Sequence, residues 1–290
     1  MIVAAAAMLL AGGAQASEVE MLDCSGMPCV TVQAAGGTSL KLLIDTGNSN
    51  SVLDLSQAKS LGLAIDPVPV TDSSGKPIPG YFVSTLKDVR IGQDTLGDVK
   101  FLTVDISKEM DKGTIPRANG TIAYTAFKGR LLTLDYRRHI VGISAASPDA
   151  PCATACGRIT NPTFGRRGPP IVVTTGFRVN GKDVSVQVDT LYSGTMLIYP
   201  TAVSRLRLKA EAASPRIDYF PFTDGGVDMV RGNAAEESFG DRLLLANAPL
   251  YFATPKVHTP DGMFDGTVGA ALFAGHVVNL DFRRNRFWME

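Results

Sequence analysis

The sequence predicts a mainly β protein built as two pseudo-symmetric β-rich lobes with a few short helices. Three observations carry that prediction. Short runs rich in Val, Ile, Leu and Thr alternate with turn residues along most of the chain. The 290 residues include 29 Gly and 17 Pro, which makes connections frequent and tight and leaves little room for long helices. The two halves also repeat one ordered set of motifs, as two copies of a single folding unit would.

Composition narrows the function classes. With 28 basic and 28 acidic residues the formal charge is zero, so the basic footprint of a nucleic-acid binder is missing. A hydrophobic content of 45% at that charge excludes disorder as the main state.

In chain order, residues 1–16 (MIVAAAAMLLAGGAQA) form an apolar run ending in Ala14-Gln15-Ala16, although no Lys or Arg precedes it. A small-x-small triplet before the polar Ser17-Glu18-Val19-Glu20 is the pattern of a signal-peptidase site. The run is too short to span a bilayer, and no later segment is long and apolar enough. The expectation is a signal peptide over 1–16 and a periplasmic or secreted protein without a membrane span. The four cysteines, Cys24-x4-Cys29 and Cys152-x3-Cys156, fit an oxidising compartment. They permit three connectivities, and their local spacing favours Cys24–Cys29 and Cys152–Cys156. Neither spacing is C-x2-C and no H-E-x-x-H occurs, so no metal site or cofactor is expected.

The strand candidates are Cys29–Val32, Leu40–Ile44, Val99–Val104, Ile171–Thr174, Val184–Val188 and Arg242–Leu245. Leu55–Leu63 and Ala202–Leu208 are the helix candidates. Between the halves the chain is rich in Pro, Gly and small residues, without apolar periodicity. These signals divide the chain into an N-terminal lobe, 17–147, a linker, 148–165, and a C-terminal lobe, 166–290.

The repeat is specific. Leu43-Ile44-Asp45-Thr46-Gly47 lines up with Gln187-Val188-Asp189-Thr190-Leu191, at an offset of 144. At an offset of 146, Asn119-Gly120-Thr121-Ile122 answers Asp265-Gly266-Thr267-Val268, and Phe127-Lys128-Gly129 answers Phe273-Ala274-Gly275. Leu134-Asp135-Tyr136-Arg137-Arg138 answers Leu280-Asp281-Phe282-Arg283-Arg284 at the same offset. Asp135 and Asp281 read as turn residues paired with Arg137 and Arg283. Asp45 and Asp189 each follow an apolar strand that carries the carboxylate out of the core. Two such units packed about a pseudo-twofold axis would bring the carboxylates together, and the pair would then hold one proton. One carboxylate can act as general base on water while the other, protonated, polarises a carbonyl.

On these residues the chain resembles a two-lobed aspartic protease of the pepsin/retropepsin type, in a bacterial single-chain form with an acid-protease-like fold. The carriers are Asp45-Thr46-Gly47-Asn48-Ser49, the segment Thr267-Val268-Gly269 and the Leu-Asp-aromatic-Arg-Arg run that ends each lobe. The resemblance implies a monomeric peptidase with a polypeptide substrate, Asp45 and Asp189 as catalytic residues, and Gly47 as support. It also implies that Thr46 and Thr190 each reach across to the other lobe. A flap hairpin is expected between the first Asp motif and the apolar-Gly segment, with Tyr81 as its aromatic. The second motif has Leu191 where the family has Gly, and the first lobe has Ala123 where the second has Gly269. The alternative is a peptide-binding pseudoprotease whose cleft pairs with an extended strand without cutting it.

Overall fold

The computed structural model describes residues 17–71, 76–113, 115–144, 156–163, 170–209, 217–218, 228–253 and 262–290. The expected signal peptide, Cys152 and most of the linker lie outside them. Among the described residues no helix is long and apolar enough to cross a membrane.

The chain forms two barrel-like β lobes joined by a shared sheet, as the repeat predicts. Each barrel closes through six strands in the same order. In the first lobe, neighbours round the barrel are Met27–Ala34, Thr38–Asp45, Gly120–Ala123, Ser51–Asp54, Asp94–Val104 and Phe82–Ile91. The last pairs back onto the first at Gln33 and Arg90. In the second lobe the corresponding strands are Val173–Val179, Lys182–Val188, Gly266–Val268, Met196–Ile198, Arg242–Ala253 and Asp228–Phe239. Closure there runs through Phe177↔Phe239, Arg178↔Ser238 and Val179↔Glu237. Strands buried on both faces explain the near-continuous apolar runs, such as Leu42-Leu43-Ile44, that stood out in the sequence.

The joining sheet lies on the pseudo-twofold axis. Leu131–Asp135 pairs antiparallel with Val277–Asp281, and Thr133 faces Asn279, its own counterpart at the 146-residue offset. The two side chains share a hydrogen bond, Thr133 Oγ1 to Asn279 Oδ1, of 2.8 Å. Ser17–Glu20 forms one edge of this sheet, and Gly157–Thr160, paired with Arg286–Met289 on one side and Val173–Val179 on the other, carries it into the second barrel. The stretch read as a linker therefore contains a strand. The turns behind the sheet are built alike: Asp135 Oδ1 accepts the backbone N–H groups of Arg137 and Arg138, and Asp281 Oδ1 those of Arg283 and Arg284. The repeated arginines meet the Oδ1 atoms through their main chain, as in an Asx turn, and the Arg138 guanidinium also lies 3.7 Å from Asp135 Oδ2.

Aromatic packing fills the second barrel. Phe177, Phe239 and Phe287 are fully buried, with ring centroids 5.0 to 5.6 Å apart. Each such pair adds about 0.5–1.5 kcal/mol beyond the area it buries. The first helix, Leu55–Ser60, is shorter than the sequence suggested, and the second, Pro200–Leu206, has the expected length but starts two residues earlier. Asp54 caps the first by accepting from the N–H groups of Ser56 and Gln57, and it also holds Ile106 N–H.

Candidate active site

In each lobe a strand delivers an aspartate to the interface, and the next two strands fix it there. Gly120–Ala123 runs parallel to Thr38–Asp45, with Ala123 opposite Asp45, and antiparallel to Ser51–Asp54. Gly266–Val268 does the same beside Lys182–Val188 and Met196–Ile198. The repeated glycine permits this threading. A Cβ at Gly120 would lie 2.0 Å from Val52 O, and one at Gly266 2.1 Å from Leu197 O. The preceding residue locks the register in both copies: Lys41 N donates to Asn119 Oδ1 and Ser185 N to Asp265 Oδ2, each at 2.8 Å. Asn and Asp differ between the lobes, but the acceptor oxygen that matters is kept.

The two aspartate loops are tied across the interface by their threonines, both fully buried. Thr46 Oγ1 donates to Val188 O at 2.8 Å and accepts from Thr190 N at 3.1 Å. Thr190 Oγ1 donates to Ile44 O and accepts from Thr46 N at 3.1 Å. Each hydroxyl thus reaches the strand residue that precedes the opposite aspartate. Four reciprocal hydrogen bonds in a dry interface satisfy every group involved, at about 1 kcal/mol each.

This lattice presses Asp189 onto the first-lobe loop. A Cβ at Gly47 would lie 2.3 Å from Asp189 Cγ and 2.5 and 2.6 Å from its two oxygens. We expect Gly47→Ala to displace the Asp189 carboxyl and to lower kcat/KM by about 100-fold with the fold retained, as ångström-scale misplacement of a reacting group does. Steady-state kinetics beside a melting curve check this; an unchanged rate would show that the contact has no role in placing the carboxylate.

Backbone donors orient both carboxylates. Gly47 N donates to Asp45 Oδ1 at 3.0 Å and Leu191 N to Asp189 Oδ1 at 2.9 Å, with Asn48 and Tyr192 N–H groups behind them. The leucine in the second motif therefore supplies the N–H that a glycine would. Burial raises the pKa of Asp45 well above the ordinary value, and the neighbouring charge of Asp189 raises it further, against the opposing pull of the Gly47 and Asn48 N–H groups. Burial also raises Asp189, opposed by the N–H groups of Leu191 and Tyr192. The pair is arranged to share one proton.

Asp45 and Asp189 open into one cleft of about 330 Å³, lined mainly by apolar side chains of the first lobe such as Val52, Leu102 and Ile106. Tyr81 lines the same cleft. It lies in a hairpin where Asp66–Pro67 pairs with Phe82–Val83 and Val70–Thr71 with Pro77–Ile78, so the expected flap position holds a flap-like hairpin. Two cleft residues escaped the sequence reading. Gln187, two positions before Asp189 on its strand, shares the aspartate's face and donates from Nε2 to Gly47 O at 2.9 Å. Strand alternation alone would have found it. Tyr192 sits in the turn after Leu191, and its backbone explains the Ala123/Gly269 difference. A Cβ at Gly269 would lie 2.0 Å from Tyr192 O, whereas in the first lobe Ala123 N is held by Ser51 Oγ at 3.0 Å.

Cys24 and Cys29 form the expected disulfide. Cys156 is also disulfide-bonded.

Residues 30–118 match the family model described as aspartyl protease. No curated protein matches the chain by sequence. Among solved structures, one titled "Crystal structure of edgp" superposes with a TM-score of 0.53 at 12% identity, covering 94% of each chain. An aspartic proteinase from Irpex lacteus superposes at 0.51 and 12% identity, covering 95% of this chain and 97% of the other. At these identities the superpositions establish the two-lobed fold, and the family match lies in the first lobe.

Proposed function

We propose, from the family match in its first lobe and the fold over both, that the chain is an exported aspartic endopeptidase of the pepsin/retropepsin type. A water held between Asp45 and Asp189 attacks the scissile carbonyl. One carboxylate, ionised, takes the proton of that water, and the other, protonated, hydrogen-bonds the carbonyl oxygen as it becomes tetrahedral. The proton gained by the ionised partner then passes to the leaving nitrogen as the C–N bond breaks, and the dyad returns to its singly protonated state. No covalent intermediate or cofactor enters. Thr46, Thr190 and Gly47 position the carboxylates, and Tyr81 closes over the substrate from the flap.

One observation carries this reading above the others: the reciprocal threonine bonds tie the two aspartate loops together and bring the Asp189 carboxyl so close to the first loop that position 47 has room only for a glycine. The Cys24–Cys29 disulfide supports an oxidising destination, periplasmic or secreted, after removal of residues 1–16. The domain reading that goes with it is a monomer of lobes 17–147 and 166–290 joined through 148–165. A second reading, a peptide-binding relic, is favoured by the leucine side chain that Leu191 places in the cleft.

The test is cleavage of an unfolded protein from acid to neutral pH, with Asp45→Asn as control and product ends read by mass spectrometry. Internal cleavage that is lost in the variant supports the endopeptidase. Absence of cleavage at every pH favours the relic.

A further inference from the structure

Leu191 does more than substitute for a glycine. Its side chain packs on a first-lobe cluster of Cys24, Met27, Cys29 and Leu43, with Ala118 alongside. Leu191, Met27, Leu43 and Ala118 also line the cleft beside Asp45 and Asp189. The second lobe therefore sends an apolar side chain across the interface, where the first lobe has only Gly47 at the matching place. Met27 is fixed by its hairpin: Leu22–Cys24 pairs with Met27–Ala34, Cys24 opposite Met27, and the disulfide closes the turn. A leucine resting on a disulfide-braced wall is a rigid boundary. The whole cleft, at about 330 Å³, is near the lower end for ligand pockets, so a bound peptide backbone leaves little space for large side chains.

We propose that Leu191 sets the size limit of the apolar subsite beside Asp45, restricting it to small aliphatic side chains and excluding aromatic ones. The inference rests on the peptidase reading for the identity of the ligand, an extended peptide. It concerns specificity and assigns Leu191 no part in the chemical step. Shape discrimination of this kind is worth about tenfold or more for each methylene that fits or clashes in an apolar pocket.

The experiment compares wild type with Leu191→Gly, Leu191→Ala and Leu191→Phe on peptides carrying Ala, Val, Leu or Phe beside the scissile bond, with melting curves to establish folding. The Ala variant serves where Gly loosens the turn, and the Phe variant moves the limit the other way. Expected is a wild-type preference for Ala and Val over Phe. That preference should shift toward Phe by about tenfold in the Gly and Ala variants and sharpen in the Phe variant. Binding of the same peptides to Asp45→Asn, with and without Leu191→Gly, is measured in parallel by fluorescence anisotropy. Cleavage with an unchanged size ratio in all variants overturns the inference and leaves the peptidase reading standing. No cleavage, but binding whose size ratio shifts with Leu191→Gly, supports the inference and overturns the peptidase reading. Neither cleavage nor a shift in binding overturns both.

Discussion

Asp45→Asn and Asp189→Asn should each lower kcat/KM by at least about 100- to 10,000-fold, and the double variant should be no slower than either single one. In the proposed mechanism the effect is large because the two carboxyls act in the same step, one taking the proton of water while the other holds the carbonyl oxygen. Non-additivity follows for the same reason: once one partner is gone, the other has nothing left to complete. Asn is close in shape to Asp and can still accept the N–H of Gly47 or Leu191 through its Oδ1, so the loops should keep their places. Since burial works against charge at both positions, neither substitution should lower thermal stability at neutral pH. Kinetics on the purified variants check this. If Asp45→Asn is inactive but Asp189→Asn is not, the second half is no catalytic partner. A dimer pairing two copies of Asp45 then becomes the better account, and sedimentation of the active species would reveal it.

Glu237→Met should raise stability at pH 7.5 and flatten its dependence on pH. Glu237 lies on Asp228–Phe239, between Val179 on one neighbouring strand and Leu245 on the other, and is fully buried. Neither carboxyl oxygen has a hydrogen-bond partner among the described residues. Burial pushes its pKa up to about 8, and its charge is felt by Tyr192, itself buried. A carboxyl whose folded pKa is raised binds its proton more tightly in the folded state. Its contribution is therefore full below the unfolded value near 4.5 and is lost as pH rises through about 8. The loss amounts to about 5 kcal/mol as an upper figure, from the size of the shift. Asp45 and Asp189 are raised as well and add a slope of the same sign. A similarly long apolar side chain removes the Glu237 part alone. Urea denaturation at pH 4 and pH 7.5 should show wild type more stable in acid, with the variant gaining only at the higher pH. Equal gains at both values would trace the effect to packing.

Much of the site was legible because chain duplication writes itself twice. The 144-residue offset at Asp45 and Asp189 and the 146-residue offset at Gly120 and Gly266 located the carboxylates, the threonines and the threading glycines. Self-pairing of Thr133 with Asn279 shows why the last offset holds: those residues sit on the axis. Other features were not legible because they arise between distant segments. That a leucine would turn from the second loop onto the Cys24–Cys29 hairpin depends on the facing lobe, which no local pattern records. The strand Asp228–Phe239 was missed because DMVRGNAAEESF lacks a clean alternation and carries a glutamate into the core, where a polar residue argues against burial. Gly157–Thr160 was hidden inside a Pro- and Gly-rich stretch, since a strand four residues long has too few positions to show a period.

The measurement that bears most directly on the two-carboxylate account is the pH dependence of kcat/KM for one peptide, with the monomer verified by sedimentation in the same buffers. The account predicts that cleavage needs the singly protonated pair. The rate should fall on the acid side as the pair takes a second proton and again on the alkaline side as it loses its shared one, the alkaline limb lying above the ordinary carboxylate range because burial and the neighbouring carboxylate charge hold that proton. A rate that falls on neither side, or that survives in Asp45→Asn, would contradict it.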